Sequence, residues 1–241
     1  MKTSFPTLGR AAALALLLSV PPPGAAAADA PRGIDLEPSR AFDYRAPAPG
    51  SYRLPDIGPM PDGRVLDESG ARRALSAVVD GRIALVSFIY TRCSDPNGCP
   101  LATEVLYDLY FASAEDRRVA DNLMLVSLSF DPRHDTPEVM AGFRGAPTAA
   151  DDRRSPWAFL TTESEAALAP LLDGFDQVVK RKRDAAGQDT GIYAHQLRVY
   201  LVDRQRRIRN IYGLGFLDPR LLLTDVLTLL AEEGAPRGQA E

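Results

Sequence analysis

Ile83-Ala84-Leu85-Val86-Ser87-Phe88-Ile89-Tyr90 runs directly into Thr91-Arg92-Cys93-Ser94-Asp95-Pro96-Asn97-Gly98-Cys99-Pro100. The first eight residues are apolar almost without a break, the pattern of a strand covered on both faces rather than one wetted at alternate positions. Helices should therefore flank the sheet to which this strand belongs. A proline in the first turn favours helix formation, and from Pro100 to about Ala114 Leu101, Val105, Leu106 and Leu109 share one helical face. Leu123 to Phe130 repeats the unbroken apolar pattern, and Asp131-Pro132-Arg133-His134-Asp135-Thr136-Pro137-Glu138 follows it. There Asp135 or Thr136 can cap a helix that has Pro137 in its first turn.

Working outward, Arg64 to Asp67 and the turn residues Glu68-Ser69-Gly70 predict a short hairpin. Trp157 to Leu160 reads as a strand and Glu163 to Phe175 as an amphipathic helix. Leu197 to Val202 and Ile208 to Tyr212 are strands around a polar turn, and Pro219 to Glu232 is a closing helix. Strands alternating with helices define an α/β fold, with the last two strands antiparallel. No internal repeat is visible.

The 241 residues are 45% hydrophobic and 25% charged with a formal net charge of -4, which excludes wholesale disorder and argues against a nucleic-acid partner. Lys2 and Arg10 are the only charges before Asp29, and Ala11 to Val20 is an apolar run followed by three prolines. This is a secretory signal peptide, residues 1–28, cut after Ala28; the run is too short for a stable membrane span. An exported, soluble, disulfide-permissive setting follows, most simply the periplasm. Residues 29–60 hold six prolines and no hydrophobic period, and are read as a poorly ordered leader or strap. The folded domain is expected over 61–233, with a flexible tail over 234–241.

Two cysteines exclude a disulfide-rich scaffold and an all-cysteine zinc site. Asp95-Pro96-Asn97-Gly98 has the residues of a type I turn, which folds the chain back and brings Cys93 and Cys99 within reach of a disulfide or a shared metal. Cys99 precedes a helix N-terminus and Arg92 precedes Cys93, both of which favour thiolate. The pair lies at the C-terminal edge of a buried strand, where α/β sheets place their sites. The plainer alternative, a disulfide stapling the loop, stabilises little because the closed loop is small.

Three stretches, Phe88 to Ala102 (FIYTRC…CPLA), Val126 to Met140 (VSLSFDPRHDTPEVM) and His195 ahead of Val199 to Asp203 (VYLVD), together resemble the Sco/SenC copper proteins. The resemblance implies a thioredoxin-like fold, a central mixed sheet flanked by helices, and a part in assembling the dinuclear copper centre of cytochrome c oxidase. It also implies that Cys93, Cys99 and His195 hold copper. The chain departs from the usual family pattern in three ways. Five residues separate the cysteines instead of three, Ala194 stands where an acidic residue is common, and no membrane anchor is evident.

Ligand chemistry agrees with that implication. Two thiolates and one imidazole are too few for a closed structural zinc site, yet they suit Cu(I) and admit Cu(II) with an added ligand. His134, the only other histidine, sits in the Asp131 to Thr136 turn and reads as solvated or capping. Met124 and Met140 read as core, while Met60 offers only its sulfur. Lys180-Arg181-Lys182-Arg183 and the group Arg204, Arg206, Arg207 and Arg209 read as solvated loops. Two functions stay open: a metallochaperone that accepts copper from a donor protein and delivers it to a client copper enzyme or apo-subunit, and a thiol-disulfide oxidoreductase using Cys93 and Cys99. In the second, Cys99 would serve as a low-pKa nucleophile with Cys93 as its partner, although spacing does not assign the attacking and the resolving thiol.

Overall fold

In chain order the computed structural model has β1 (Gly58–Pro59), the hairpin β2 (Arg64–Leu66) and β3 (Arg72–Ala74), the single turn α1 (Leu75–Val78), β4 (Ile83–Ile89) and α2 (Cys99–Ala112). Then come α3 (Arg117–Asn122), β5 (Leu123–Ser129), α4 (Pro137–Arg144), β6 (Trp157–Leu160) and α5 (Glu165–Gly174). The chain closes with the ribbon β7 (Val179–Arg183) and β8 (Asp189–His195), then β9 (Val199–Val202), β10 (Arg207–Tyr212) and α6 (Pro219–Gly234). The structure describes Ile34, Leu36, Phe42 and residues 44–145 and 153–234. The expected signal peptide, and the expected tail beyond Gly234, lie outside these residues.

The two apolar runs lie side by side as β4 and β5, parallel from Ile83↔Leu123 to Ile89↔Ser129, with every residue of both buried. Burial on both faces is what their unbroken apolar character requires. Parallel neighbours need a crossover, and α2 with α3 supplies it. The six-stranded sheet runs β1-β10-β9-β4-β5-β6. It is mixed, since β4, β5 and β6 are parallel while β9 lies antiparallel to both β4 and β10. The sheet, with the helices around it, is thioredoxin-like. Phe88 packs edge-on against Phe175 and Tyr200, at centroid distances of 5.1 and 6.0 Å, and this locks β4 and β9 to the end of α5.

Capping settles two boundaries. Thr136 Oγ1 accepts from the Val139 N–H at 3.4 Å and opens α4, which frees Asp135 to accept from the Thr91 N–H and hydroxyl. Helix α5 starts at Glu165 rather than Glu163 because Ser164 is its N-cap, accepting from the Ala167 N–H at 3.2 Å.

The reading of residues up to 60 as poorly ordered needs correction over its second half. The Gly50 N–H donates to Thr228 Oγ1 at 3.0 Å, and Tyr52 donates to buried Asp225, which also accepts from Tyr212 and Asn210. Leu54 and Met60 are buried, and the Ile57 and Met60 N–H groups donate to Ile208 and Arg206 carbonyls. The stretch is thus a strap tied along α6 and β10. Met60 lies by the β9–β10 turn, at the opposite end of the sheet from the cysteines.

Neither basic cluster is a plain solvated loop. Lys180 to Arg183 are strand β7, whose partner β8 ends at His195. Arg209 is mostly buried, paired with Asp203 and Glu232 and bonded to the Leu54 and Pro55 carbonyls, so it clamps the strap.

Candidate metal centre

Strand β4 delivers the chain to the loop of residues 90–98 at the C-terminal edge of the sheet. The expected turn forms: the Gly98 N–H donates to the Asp95 carbonyl at 2.9 Å and the Asn97 N–H to Asp95 Oδ1 at 3.0 Å. Gly98 eases the close approach, because a Cβ there would lie 3.3 Å from both Cys93 Sγ and the Asp95 carbonyl oxygen and would push them apart by a few tenths of an ångström. Strand β9 runs antiparallel to β4 with Val199 opposite Ser87, so the chain just ahead of it reaches this same edge. His195 arrives there as the last residue of β8.

Cys93, Cys99 and His195 therefore meet, their donor atoms all within 4.8 Å of one another. Cys99 Sγ lies 3.5 Å from His195 Nε2. Cys99 is buried, whereas Cys93 and His195 are partly exposed. His134 is exposed and does not join the cluster, in agreement with its reading as a turn residue. Two soft sulfurs and an imidazole nitrogen at this spacing fit a copper ion and leave a coordination position open.

The thiols are not equivalent: Cys93 is the one held toward thiolate and Cys99 the one held toward the protonated form. A hydrogen bond from the Cys99 thiol holds Cys93 down to about 5, assisted by the N–H groups of Cys99 and Asp95 and by the His195 imidazole, against the opposing effect of burial. The same bond, together with burial, pushes Cys99 well up. The Cys99 N–H at the start of α2 favours thiolate on both sulfurs and so does not set their order; the hydrogen bond between the thiols and the deeper burial of Cys99 do. In the reduced, metal-free protein, alkylation by a small haloacetamide is expected to reach Cys93 first, its rate rising as pH climbs through about 5, with Cys99 protected into the alkaline range. Peptide mapping by mass spectrometry across a pH series checks this. Equal profiles for the two thiols would contradict it.

Two openings share Cys93. A polar mouth of about 500 Å³ reaches Cys93 and His195 past Asn97, Lys182 and Ile192. An apolar groove of about 450 Å³ reaches both sulfurs along Pro100, Tyr107, Phe111 and Phe143. Behind the centre, Tyr90 and Phe130 pack on the His195 ring at 5.8 and 5.0 Å. Buried Asp131 accepts from Tyr193 and Arg92. Asp131 and Tyr193 were not singled out from the sequence. Asp131 has two signals in the sequence, its place immediately after a buried strand and its membership of the Val126 to Met140 stretch.

A thioredoxin-like α/β domain with two cysteines at a strand-to-helix junction and a distant histidine folded onto them presents a soft thiol-and-imidazole donor set that could hold a metal ion. Residues 64–231 match the profile of the SCO1/SenC family, and the chain belongs to that family. No protein with a curated description matches the chain. Among solved structures it is similar to yeast Sco1 with copper bound (TM-score 0.57, 16% identity, covering 77% of this chain and 93% of that one). It is similar also to Arabidopsis thaliana ScoI with copper bound (TM-score 0.56, 17% identity, 73% and 99%). A third is BsSco, a member of the Sco family of cytochrome c oxidase assembly proteins described with a disulfide switch (TM-score 0.56, 22% identity, 74% and 98%). At these identities the likeness is one of fold. No helix among the described residues is long and apolar enough to cross a membrane.

Proposed function

We propose that the protein is an exported, periplasmic copper metallochaperone that binds copper through Cys93, Cys99 and His195 and delivers it to a cuproenzyme such as the dinuclear copper centre of cytochrome c oxidase. The observation that carries this reading is the convergence of the three donor atoms within 4.8 Å at a surface opening. Family membership and the copper held by the yeast and Arabidopsis relatives support it. Copper is cargo here, so an open coordination position is an advantage: an incoming thiolate or imidazole of the client can displace one ligand at a time. The polar mouth admits such a donor beside Cys93 and His195.

Anaerobic titration of the reduced mature protein is expected to saturate at one Cu(I) per chain, and the loaded protein should surrender that ion to a reduced apo-client. Absence of stoichiometric binding would overturn the proposal.

The second reading, a thiol-disulfide oxidoreductase acting on client cysteines, is favoured by one observation. The two sulfurs lie within 4.8 Å of each other, with Cys93 held toward thiolate and Cys99 toward the protonated thiol, the arrangement that thiol exchange uses. Turnover of a client disulfide by protein that binds no copper would select it.

A further inference from the structure

The ribbon β7–β8 brings His195 to the cysteines, yet it pairs with no strand of the six-stranded sheet. A two-stranded ribbon is marginal by itself in water, so side chains must set its position. Tyr193 is the only buried residue of its two strands, and it stands two positions before His195, on the same face. The Tyr193 hydroxyl donates to Asp131 Oδ1 at 2.7 Å. Its ring packs on Tyr90 and Phe130 at 5.1 and 5.3 Å, and these same two rings flank the imidazole of His195. Arg181 of β7 lies over the Tyr193 ring at 4.8 Å, with its guanidinium 3.6 Å from Asp131.

The other oxygen of that carboxylate serves the cysteine loop. Arg92, next to Cys93, donates through Nη2 to Asp131 Oδ2 at 2.8 Å. Gly191 of β8 makes room for it: its φ is +71°, and a Cβ there would lie 3.2 Å from Arg92 Nη1. Asp131 itself is fully buried and does not join the donor cluster. Among the described residues none accepts a hydrogen bond from His195 Nδ1, the contact that usually orients a ligating imidazole. Aromatic packing takes over that task, and the packing hangs on Tyr193.

We propose that Asp131 is the positioning residue of the centre, holding the His195 ribbon through Tyr193 and the thiol loop through Arg92, and so fixing where the imidazole stands relative to the two sulfurs. Its consequence for metal binding rests on the copper reading above. The geometric claim does not.

The test uses the full mature chain with Tyr193→Phe, Asp131→Asn and the pair together. In metal-free protein, Tyr193→Phe is expected to speed amide hydrogen exchange over residues 179–195 while β4 and β5 exchange as in the parent, and to move the His195 ring resonances away from their ring-current-shifted positions. With copper, each single variant should weaken Cu(II) binding about 10- to 100-fold. Cu(I) affinity should fall by a much smaller factor, and the double variant should lose no more than the worse single variant, as expected for members of one contact. If Asp131→Asn does not fold, Arg92→Gln takes its place in the cycle. Parent-like ribbon exchange and His195 resonances in Tyr193→Phe would overturn the proposal, as would Cu(II) losses that simply add. If the parent binds no copper, the copper reading fails, and the exchange and resonance data alone decide whether Asp131 places the ring.

Discussion

Serine at both position 93 and position 99 is expected to leave a folded protein that no longer holds Cu(I) tightly. The hydroxyl is similar in size to the thiol but is a hard, neutral oxygen donor, and soft Cu(I) selects sulfur. With both sulfurs gone, His195 is the only remaining soft-metal donor of the cluster. Competition against a chromophoric Cu(I) chelator measures the loss, and far-UV circular dichroism confirms the fold. The single variants should differ in stability. Cys99 is buried at the start of α2, so a hydroxyl there costs roughly 1–3 kcal/mol if it finds no partner, while partly exposed Cys93 tolerates the change. Stoichiometric, high-affinity Cu(I) binding by the double variant would refute the ligand assignment.

Loss of the imidazole should separate the two copper states. In His195→Ala the thiol pair remains, and two thiolates can hold Cu(I) in low coordination. Cu(II) gains strongly from a nitrogen donor, so its affinity and its sulfur-to-copper charge-transfer absorption are expected to collapse. The aromatic packing on Tyr90 and Phe130 disappears with the ring, so the variant is also expected to open the polar mouth. His134→Ala is the control, since that residue is exposed and outside the cluster. Visible spectroscopy during Cu(II) titration of both variants reads the result. A parent-like His195→Ala spectrum beside a lost His134→Ala spectrum would reverse the assignment, and two parent-like spectra would favour a centre built from thiols alone.

The parts of this fold that are legible in the sequence are those whose burial is uniform. Ile83 to Ile89 and Leu123 to Ser129 announce themselves because both faces are covered, and Trp157 to Leu160 and Val199 to Val202 do so for the same reason. The ribbon β7–β8 escapes notice because one tyrosine is its only buried residue, so neither a two-residue nor a 3.6-residue period can appear in Lys180 to Arg183 or Asp189 to His195. The strap escapes because single contacts spaced by prolines hold it. At the centre, the Asp95 to Gly98 turn and the cysteine pair are local and readable. His195 lies 96 residues from Cys99 in the chain, and only its resemblance to a family motif joined the two. The division of acidity between the thiols depends on which sulfur donates to the other and on how deeply each is buried, and sequence spacing does not encode that.

The strap has a further consequence for how the molecule meets others. A sheet ending on β10 would present a row of unpaired N–H and C=O groups, an invitation to strand addition by another chain. Gly58 and Pro59 cover the Arg207 and Ile208 end of that row, and Pro59 has no N–H to offer outward. At the far side the Leu66↔Thr161 bridge, with its reciprocal hydrogen bonds, covers the end of β6. Strand addition is thereby discouraged at one end of each flank.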